Sequence, residues 1–331
     1  MNEINLIAEI GGNHEGDIDY ANHLTELALG SAADTIKFQL YSGESIANKK
    51  VDKARYEHFK KFELTKSQHI DLAKKCISGG KEYLASVWNK DMLEWIDPFL
   101  ERYKVGSGDL TNKPLLKEFA NRGKPIILST GLSSMKEVED TVTFIRSLNP
   151  FYEKKPNLVL MQCTSMYPIR NEDANLAVLK SFSSIGEIIL GYSDHTEDME
   201  ALYASVILGA EVLEFHFTDK REGKDFRDHK VSLIPSEVNK LNEKIRLFFK
   251  LLGDETKQPL GIEIENGHVE SFRRAVYLKC DIKKGMTITK DMLVTLRPNE
   301  GISAWDIDKV IGQVVKDDIE ALTPLNLNMF D

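Results

Sequence analysis

Up to about residue 253, short apolar runs alternate with longer amphipathic stretches. The runs are Asn5–Ile10, Thr35–Leu40, Glu82–Ser86, Arg102–Val105, Pro125–Ser129, Leu158–Gln162, Glu187–Leu190 and Glu211–Phe215. Several are apolar at consecutive positions, as expected of strands covered on both faces of a parallel sheet. Between them, Tyr20–Leu29, Lys66–Ser78, Lys113–Asn121, Met135–Leu148 and Met199–Leu208 carry apolar residues three and four apart, which predicts helices. A last helix, Pro235–Leu252, is closed by Gly253. Strand then helix, repeated eight times over roughly 250 residues, is the rhythm of a (β/α)8 TIM barrel. Residues 1–253 are therefore expected to form an α/β barrel domain. An open doubly wound sheet is the alternative, but neither GxGxxG nor a P-loop follows an early strand.

After Gly253 the pattern changes. Residues 254–271 are polar and interrupted by Gly and Pro, as in a linker, and residues 272–331 offer short segments suited to a compact satellite domain. The 331 residues, 42% hydrophobic, suffice for a barrel core and one small domain. A net charge of −9 argues against nonspecific nucleic-acid binding, although a few lysines can still make one pocket attractive to an anion. The three cysteines, Cys76, Cys163 and Cys280, show no CxxC spacing and are expected to be small buried residues, not disulfide partners or zinc ligands. No leader pattern and no apolar run near ~18 residues occurs, so the expectation is a cytoplasmic protein without a membrane partner.

In such barrels the reactive groups stand at the C-terminal ends of the strands and in the loops that follow. Glu9 precedes the turn Gly11-Gly12-Asn13-His14; Lys37 and Gln39, two apart, share one face of the second strand. Ser86 ends the third run, and Lys104 leads into Gly106-Ser107-Gly108-Asp109. Ser129-Thr130-Gly131, Cys163-Thr164-Ser165-Met166-Tyr167-Pro168 and Ser193-Asp194-His195 close the next three, and Glu214 and His216 end the eighth. Two strand lysines with hydroxyls and free backbone N–H groups suit a phosphate and a carboxylate together. His195 and His216 end neighbouring strands and could meet on one divalent cation. Glu9, Asp109, Asp194, Glu214 and Asp228 are candidates for acid–base work or for supporting a metal ligand.

At these residues the sequence resembles the family of sialic acid and related nonulosonic acid synthases. The similarity rests on Ala8–Gly16, Ile36-Lys37-Phe38-Gln39, Tyr103–Gly108, Ile127–Gly131, Cys163–Pro168, Gly191–His195 and Glu214–Thr218. It continues in Asp281–Gly285 and Leu296-Arg297-Pro298, which look like the family's C-terminal antifreeze-like (SAF) domain. The resemblance implies condensation of phosphoenolpyruvate with an open-chain N-acyl hexosamine, giving a nine-carbon α-keto acid and phosphate by C–O cleavage. It implies that Lys37, Ser86, Lys104, Ser107, Ser129, Ser165 and Ser193 bind phosphoenolpyruvate. His195 and His216 would hold a divalent metal, Mn2+ first, with Mg2+ or Co2+ as alternatives. Glu9, Asp109 and Asp228 would be catalytic, and Gln39, Tyr167, Asp228 and Arg297 would surround the sugar. Arg297 would come from the partner of a domain-swapped homodimer.

The sequence also departs from the family's pattern. Ser86, Asp109 and Ser165 stand where Thr, Glu and Asn are found in other members, and Val87-Trp88 replaces a Pro-Phe pair. Arg227 replaces the usual residues before Asp228. Plain N-acetylmannosamine and a diacetamido-trideoxyhexose, leading to a legionaminic- or pseudaminic-type acid, both remain open as the sugar.

Overall fold

A computed structural model describes residues 4–331. Eight parallel strands close into a barrel in sequence order: β1 (Asn5–Gly11), β2 (Thr35–Leu40), β3 (Glu82–Val87), β4 (Tyr103–Val105), β5 (Ile126–Ser129), β6 (Leu158–Cys163), β7 (Ile189–Asp194) and β8 (Val212–His216). Closure comes from pairing of β1 with β8, in which Glu9 lies beside His216. The expected (β/α)8 barrel is therefore present.

Because strand side chains alternate, each strand sends one set of residues into the barrel and the other toward the helices. The outward set, with Phe38, Tyr83, Tyr103 and Phe215, packs against helices such as Ile18–Leu29, Lys66–Ser78 and Met135–Leu148 to form the main core. The inward set builds three levels. Ile7, Leu84, Ile127, Val159, Met161 and Val212 form a separate apolar plug inside the barrel. Two positions further along their strands stand Glu9, Ser86, Ser129, Cys163 and Glu214, and two positions earlier on β1 and β3 stand Asn5 and Glu82. The apolar plug thus closes the barrel as a floor, and polar groups face the C-terminal mouth.

The chain divides into two compact units, one ending at Leu252 and the other spanning Gly253–Asp331. Gly253 takes a left-handed φ of 69° directly after the helix Pro235–Leu252, a conformation that favours glycine. The second unit pairs β9 (Ala275–Leu278) antiparallel with β10 (Leu293–Leu296) over its own core of Val276, Leu278, Ile288, Leu293, Val310 and Leu325.

Four details differ from the sequence reading. The seventh run was expected at Glu187–Leu190, but β7 begins at Ile189, because Gly186 and Glu187 both have positive φ, 70° and 26°. Residues 254–271 carry two short helices, Gly261–Glu265 and His268–Ser271. Helices not foreseen include Lys53–Phe62, between β2 and the helix Lys66–Ser78, Lys90–Ile96 after β3 and Val178–Phe182 before β7. Cys76 and Cys163 are buried, but Cys280 is exposed, since it sits in the bend that follows β9. Among the described residues no helix is long and apolar enough to cross a membrane.

Candidate active site

Strand register sets the heights of the polar groups above the floor. Glu9 is level with Lys37 on one side and His216 on the other, Gln39 with Ser86, Ser86 with Lys104, and Ser193 with both Cys163 and Glu214. Residues far apart in sequence therefore meet in one layer. A cavity of about 910 Å3 opens above it. Of the candidate residues from the sequence, Glu9, Lys37, Gln39, Ser86, Lys104, Ser107, Asp109, Ser129, Ser165, Tyr167, Ser193, His195, Glu214, His216 and Asp228 line that cavity. Asp194 does not: its carboxylate is buried beside β7 and accepts from the Tyr192 hydroxyl at 2.9 Å and from the Thr196 N–H and hydroxyl at 3.0 Å. Arg297 belongs to the other unit, where its guanidinium carbon lies 5.5 Å from the Phe272 ring.

The lysines are not isolated cations. Lys37 Nζ is 2.7 Å from Glu9 Oε2 and 3.5 Å from Glu214 Oε2, and Lys104 Nζ is 3.6 Å from Glu214 Oε1. Lys104 also donates to Ser129 Oγ at 2.6 Å, Ser193 donates to Glu214 at 3.1 Å, and Gln39 donates to Glu9 at 2.8 Å. Burial disfavours every one of these charges, and their neighbours decide the outcome. For Glu214, burial is outweighed by the Lys104 and Lys37 ammonium groups, which hold its carboxyl at about 2. For Lys37, burial is outweighed by Glu214 and Glu9, so its pKa is raised. Lys104 has fewer compensating partners, and burial pulls its pKa down; burial likewise raises that of Glu9.

Hydroxyls cluster on the β4 and β5 side. The Gly131 N–H donates to Ser107 Oγ at 3.1 Å. A Cβ on Gly131 would collide with Ser165 Oγ and stand 2.8 Å from Ser107 Oγ, so the absent side chain is what allows the two hydroxyls to converge. Asp109 ends the short 3-10 turn after β4, and its carboxylate accepts from Asn112 at 2.9 Å; burial raises its pKa.

The two histidines face one another with ring centroids 5.3 Å apart, and Tyr167 lies 4.0 Å from His195 and 5.5 Å from His216. His195 Nδ1 is 2.7 Å from the Thr164 carbonyl oxygen. A carbonyl can only accept, so Nδ1 carries a proton. For His195, burial is outweighed by Cys163 and the Thr164 carbonyl, so its pKa is raised and Nε2 must give up a proton before it can act as a ligand. His216 is buried, its pKa is pushed far down by burial with His195 and Lys37 nearby, and its Nδ1 has no hydrogen-bond partner. Asp228 Oδ2 lies 3.8 Å from that nitrogen, while Arg227 Nε lies 3.2 Å from Asp228 Oδ1. His216, held neutral, and His195, once deprotonated at Nε2, would together fit a divalent cation. Among the described residues no third His, Cys, Asp or Glu completes the set, so further ligands would have to be water or substrate oxygens.

Several lining residues were not found from the sequence. Tyr41, Phe59, Phe62, Trp88 and Phe226 form an aromatic mouth, and Arg55, His58 and Arg227 stand among them. A readable sign was present: Tyr56, Phe59 and Phe62 recur every three residues through an otherwise charged segment, which is a narrow helical stripe.

Fold and cavity together define a (β/α)8-barrel enzyme with a small-molecule site at the C-terminal mouth of the barrel. The chain belongs to the NeuB family, whose model matches residues 24–257, and an SAF domain matches residues 273–331. It is 34% identical to the N,N'-diacetyllegionaminic acid synthase of Campylobacter jejuni, over 95% of this chain and 96% of that protein. It is also 34% identical to the human N-acetylneuraminate-9-phosphate synthase, over 94% of this chain and 88% of the relative. Among solved structures, the N-acetylneuraminic acid synthetase of Leptospira borgpetersenii, in complex with citrate, superposes with a TM-score of 0.73 at 30% identity, covering 81% of this chain and 91% of its own.

Proposed function

We propose that the enzyme condenses phosphoenolpyruvate with the aldehyde of an open-chain N-acyl hexosamine, forming a nine-carbon α-keto acid and free phosphate. The observation that carries this reading is the single buried layer in which Lys37, Lys104, Glu9 and Glu214 meet beside His195 and His216. It is joined by relatives that are named as synthases of such acids.

Lys37 and Lys104 face the anionic groups of phosphoenolpyruvate, and Ser86, Ser107, Ser129, Ser165 and Ser193 donate to its phosphate and carboxylate oxygens. C3 of phosphoenolpyruvate forms the new bond to the aldehyde carbon, whose oxygen takes up a proton and becomes a hydroxyl. Water then adds at the electron-poor C2 and loses a proton, and the C2–O bond to phosphate breaks as the ketone forms. Glu9, fixed by Gln39 and Lys37, is placed to steady positive charge at C2 and to orient that water, with Asp109 in support. Tyr167, Gln39 and Asp228 border the space left for the sugar.

His195 and His216 would hold a divalent cation, for which imidazole plus oxygen ligands favour Mn2+, with Mg2+ or Co2+ as substitutes. Such an ion supplies Lewis-acid polarisation of the aldehyde oxygen. Charge balance supports it: Glu9 and Glu214 offset Lys37 and Lys104, and Arg227 offsets Asp228, so the cavity floor holds no surplus positive charge for an anionic substrate. Arg297 would complete the sugar site from the second chain of a domain-swapped homodimer.

A phosphate-release assay with phosphoenolpyruvate, Mn2+ and a panel of N-acyl hexosamines tests this. Release is expected with at least one sugar and is abolished by EDTA. Undiminished release in EDTA overturns the metal role, and no release with any sugar overturns the synthase.

A further inference from the structure

The segment that carries Asp228 is an excursion from the barrel wall. It leaves at Phe217 and returns at Leu233, and these two residues form a parallel bridge. The neck is closed by backbone: the Leu233 N–H donates to the His216 carbonyl at 2.7 Å, and the Thr218 N–H donates to the Leu233 carbonyl at 3.0 Å. The 3.8 Å approach of Asp228 to His216 is therefore made within one loop, with His216 at its root and Asp228 in the 3-10 turn Arg227–Val231.

A side chain from elsewhere ties those two points together. Asn13, fully buried in the turn after β1, donates from Nδ2 to the Phe217 carbonyl at 2.9 Å and to Ser232 Oγ at 2.8 Å. Ser232, also fully buried, donates in turn to the Asp228 carbonyl at 2.7 Å. The directions are fixed. Each carbonyl can only accept, so the one hydroxyl proton of Ser232 goes to Asp228 and its oxygen accepts from Asn13. Two donors on one uncharged nitrogen are what this junction needs, and an ammonium would bring an unpaired charge into a buried site. Asn13 Oδ1 has no hydrogen-bond partner among the described residues. A buried amide oxygen left so costs stability, and the worth of the residue lies in what its two N–H bonds hold.

We propose that Asn13 and Ser232 are positioning residues, whose relay of hydrogen bonds from amide to hydroxyl to backbone sets the Asp228 carboxylate against the His216 imidazole. The proposal rests on the synthase reading above, and within it on His216 as a metal ligand. An imidazole that binds a cation through one nitrogen is oriented by what its other nitrogen meets, and Asp228 is the group that faces His216 Nδ1. Neither Asn13 nor Ser232 lines the cavity, so both act through the pair they hold and not on substrate. The relay also stands apart from the phosphoenolpyruvate cradle, where Lys104 is held by Ser129 and Lys37 by Glu9.

The test is Ser232→Ala in the full-length chain, which cuts the link to Asp228 while Asn13 still holds Phe217. The loop keeps a separate brace, since His229 lies 2.8 Å from Thr218 Oγ1 and 3.3 Å from Glu15 Oε1. Titration with Mn2+ alone, followed by the electron paramagnetic resonance signal of the free ion, should show affinity weakened by about tenfold. The kcat for phosphate release should fall by roughly tenfold, while the KM for phosphoenolpyruvate stays within about twofold of the parent. Ser232→Thr, which keeps the hydroxyl, should remain near the parent in both. Asn13→Asp has the shape without the donors; it should weaken Mn2+ binding at least as much, and adding Ser232→Ala to it should cost nothing further, because the two act in one chain. If Asn13→Asp is insoluble, the two serine variants carry the test. A lowered urea midpoint in Ser232→Ala, with the Mn2+ affinity and kinetics of the parent, makes the relay a structural brace only and overturns the proposal. A parent that binds Mn2+ but releases phosphate with no sugar overturns the synthase reading, and the Mn2+ titration of Ser232→Ala then still decides the relay. A parent that binds no Mn2+ overturns the relay together with the metal role.

Discussion

Two polar layers lie inside this barrel, one on each side of the same apolar plug, and they are built differently. Below the plug, Arg102 grips Glu82 with two hydrogen bonds of 2.9 and 2.7 Å. The same guanidinium reaches Asn5 at 2.7 Å and Thr35 at 3.0 Å, and Thr35 donates to Glu82 at 2.9 Å. Each charged group there has found its partners within the chain. Above the plug, the Lys104–Glu214 contact is a loose 3.6 Å and His216 Nδ1 is orphaned. The lower layer is a closed network that holds strand ends together; the upper one keeps donors, acceptors and lone pairs in reserve. Buried polar groups left incomplete cost stability, so their concentration in one layer marks where an outside molecule is to complete them.

The comparison predicts opposite phenotypes. His216→Asn, in the open layer, should lower the rate of phosphate release on the order of a thousandfold. Its urea midpoint should stay near that of the parent, because the replaced imidazole makes few bonds within the chain. A large loss of stability with activity retained would reverse the assignment of the two layers.

Arg102→Met, in the closed layer, should do the converse. It strands the Glu82 carboxylate among groups that no longer neutralise it, at a cost of about 2–4 kcal/mol. The two side chains are 16% and 18% exposed, so solvent screening removes only part of this. Urea unfolding followed by circular dichroism measures the loss, and kcat/KM of the folded fraction should be unchanged.

How much of this was readable in the sequence depended on what each residue faces. Strands walled in on both sides announce themselves as apolar runs, and the barrel followed from their number and spacing. β7 was misplaced because its second half, Tyr192-Ser193-Asp194, is polar and reads as a loop: Ser193 faces the cavity, while Tyr192 packs in the outer core and donates to Asp194. The lysines, hydroxyls and histidines could be proposed from their places at strand ends. The pairing of Glu214 with both lysines could not, since it arises from barrel closure. The helix Lys53–Phe62 escaped because only Phe62 is fully buried and its other faces are charged. Its aromatic stripe serves the cavity more than the core.

A smaller effect sharpens the open layer. Gly131→Ala would drive a methyl into the space between Ser107 and Ser165. Moving either hydroxyl disturbs the anion cradle without removing a charge, so a loss in kcat/KM for phosphoenolpyruvate of roughly tenfold or more is expected, with histidine-dependent steps untouched. Unaltered kinetics would show that these two hydroxyls do not contact substrate.

The last prediction asks whether an orphaned atom alone marks function. His69 Nε2 is buried and unpartnered, yet it lies on the helix Lys66–Ser78, outside the cavity lining, with Nδ1 3.1 Å from the Tyr83 hydroxyl. Burial lowers its pKa to about 3, and that of His14 to about 4. Well above the ordinary value of 6.5 neither the native nor the unfolded imidazole binds a proton. As the pH falls below that, the unfolded chain takes up protons that the native protein refuses, so stability is lost toward the native pKa, by at most about 1.4 kcal/mol per pH unit for each group. His69→Gln should therefore flatten the acid limb of a stability–pH profile between those values while phosphate release at neutral pH is retained. Loss of catalysis in this variant, with the acid limb unchanged, would mean that an unpaired buried atom reports function wherever it lies, and the contrast between the two layers would lose its force.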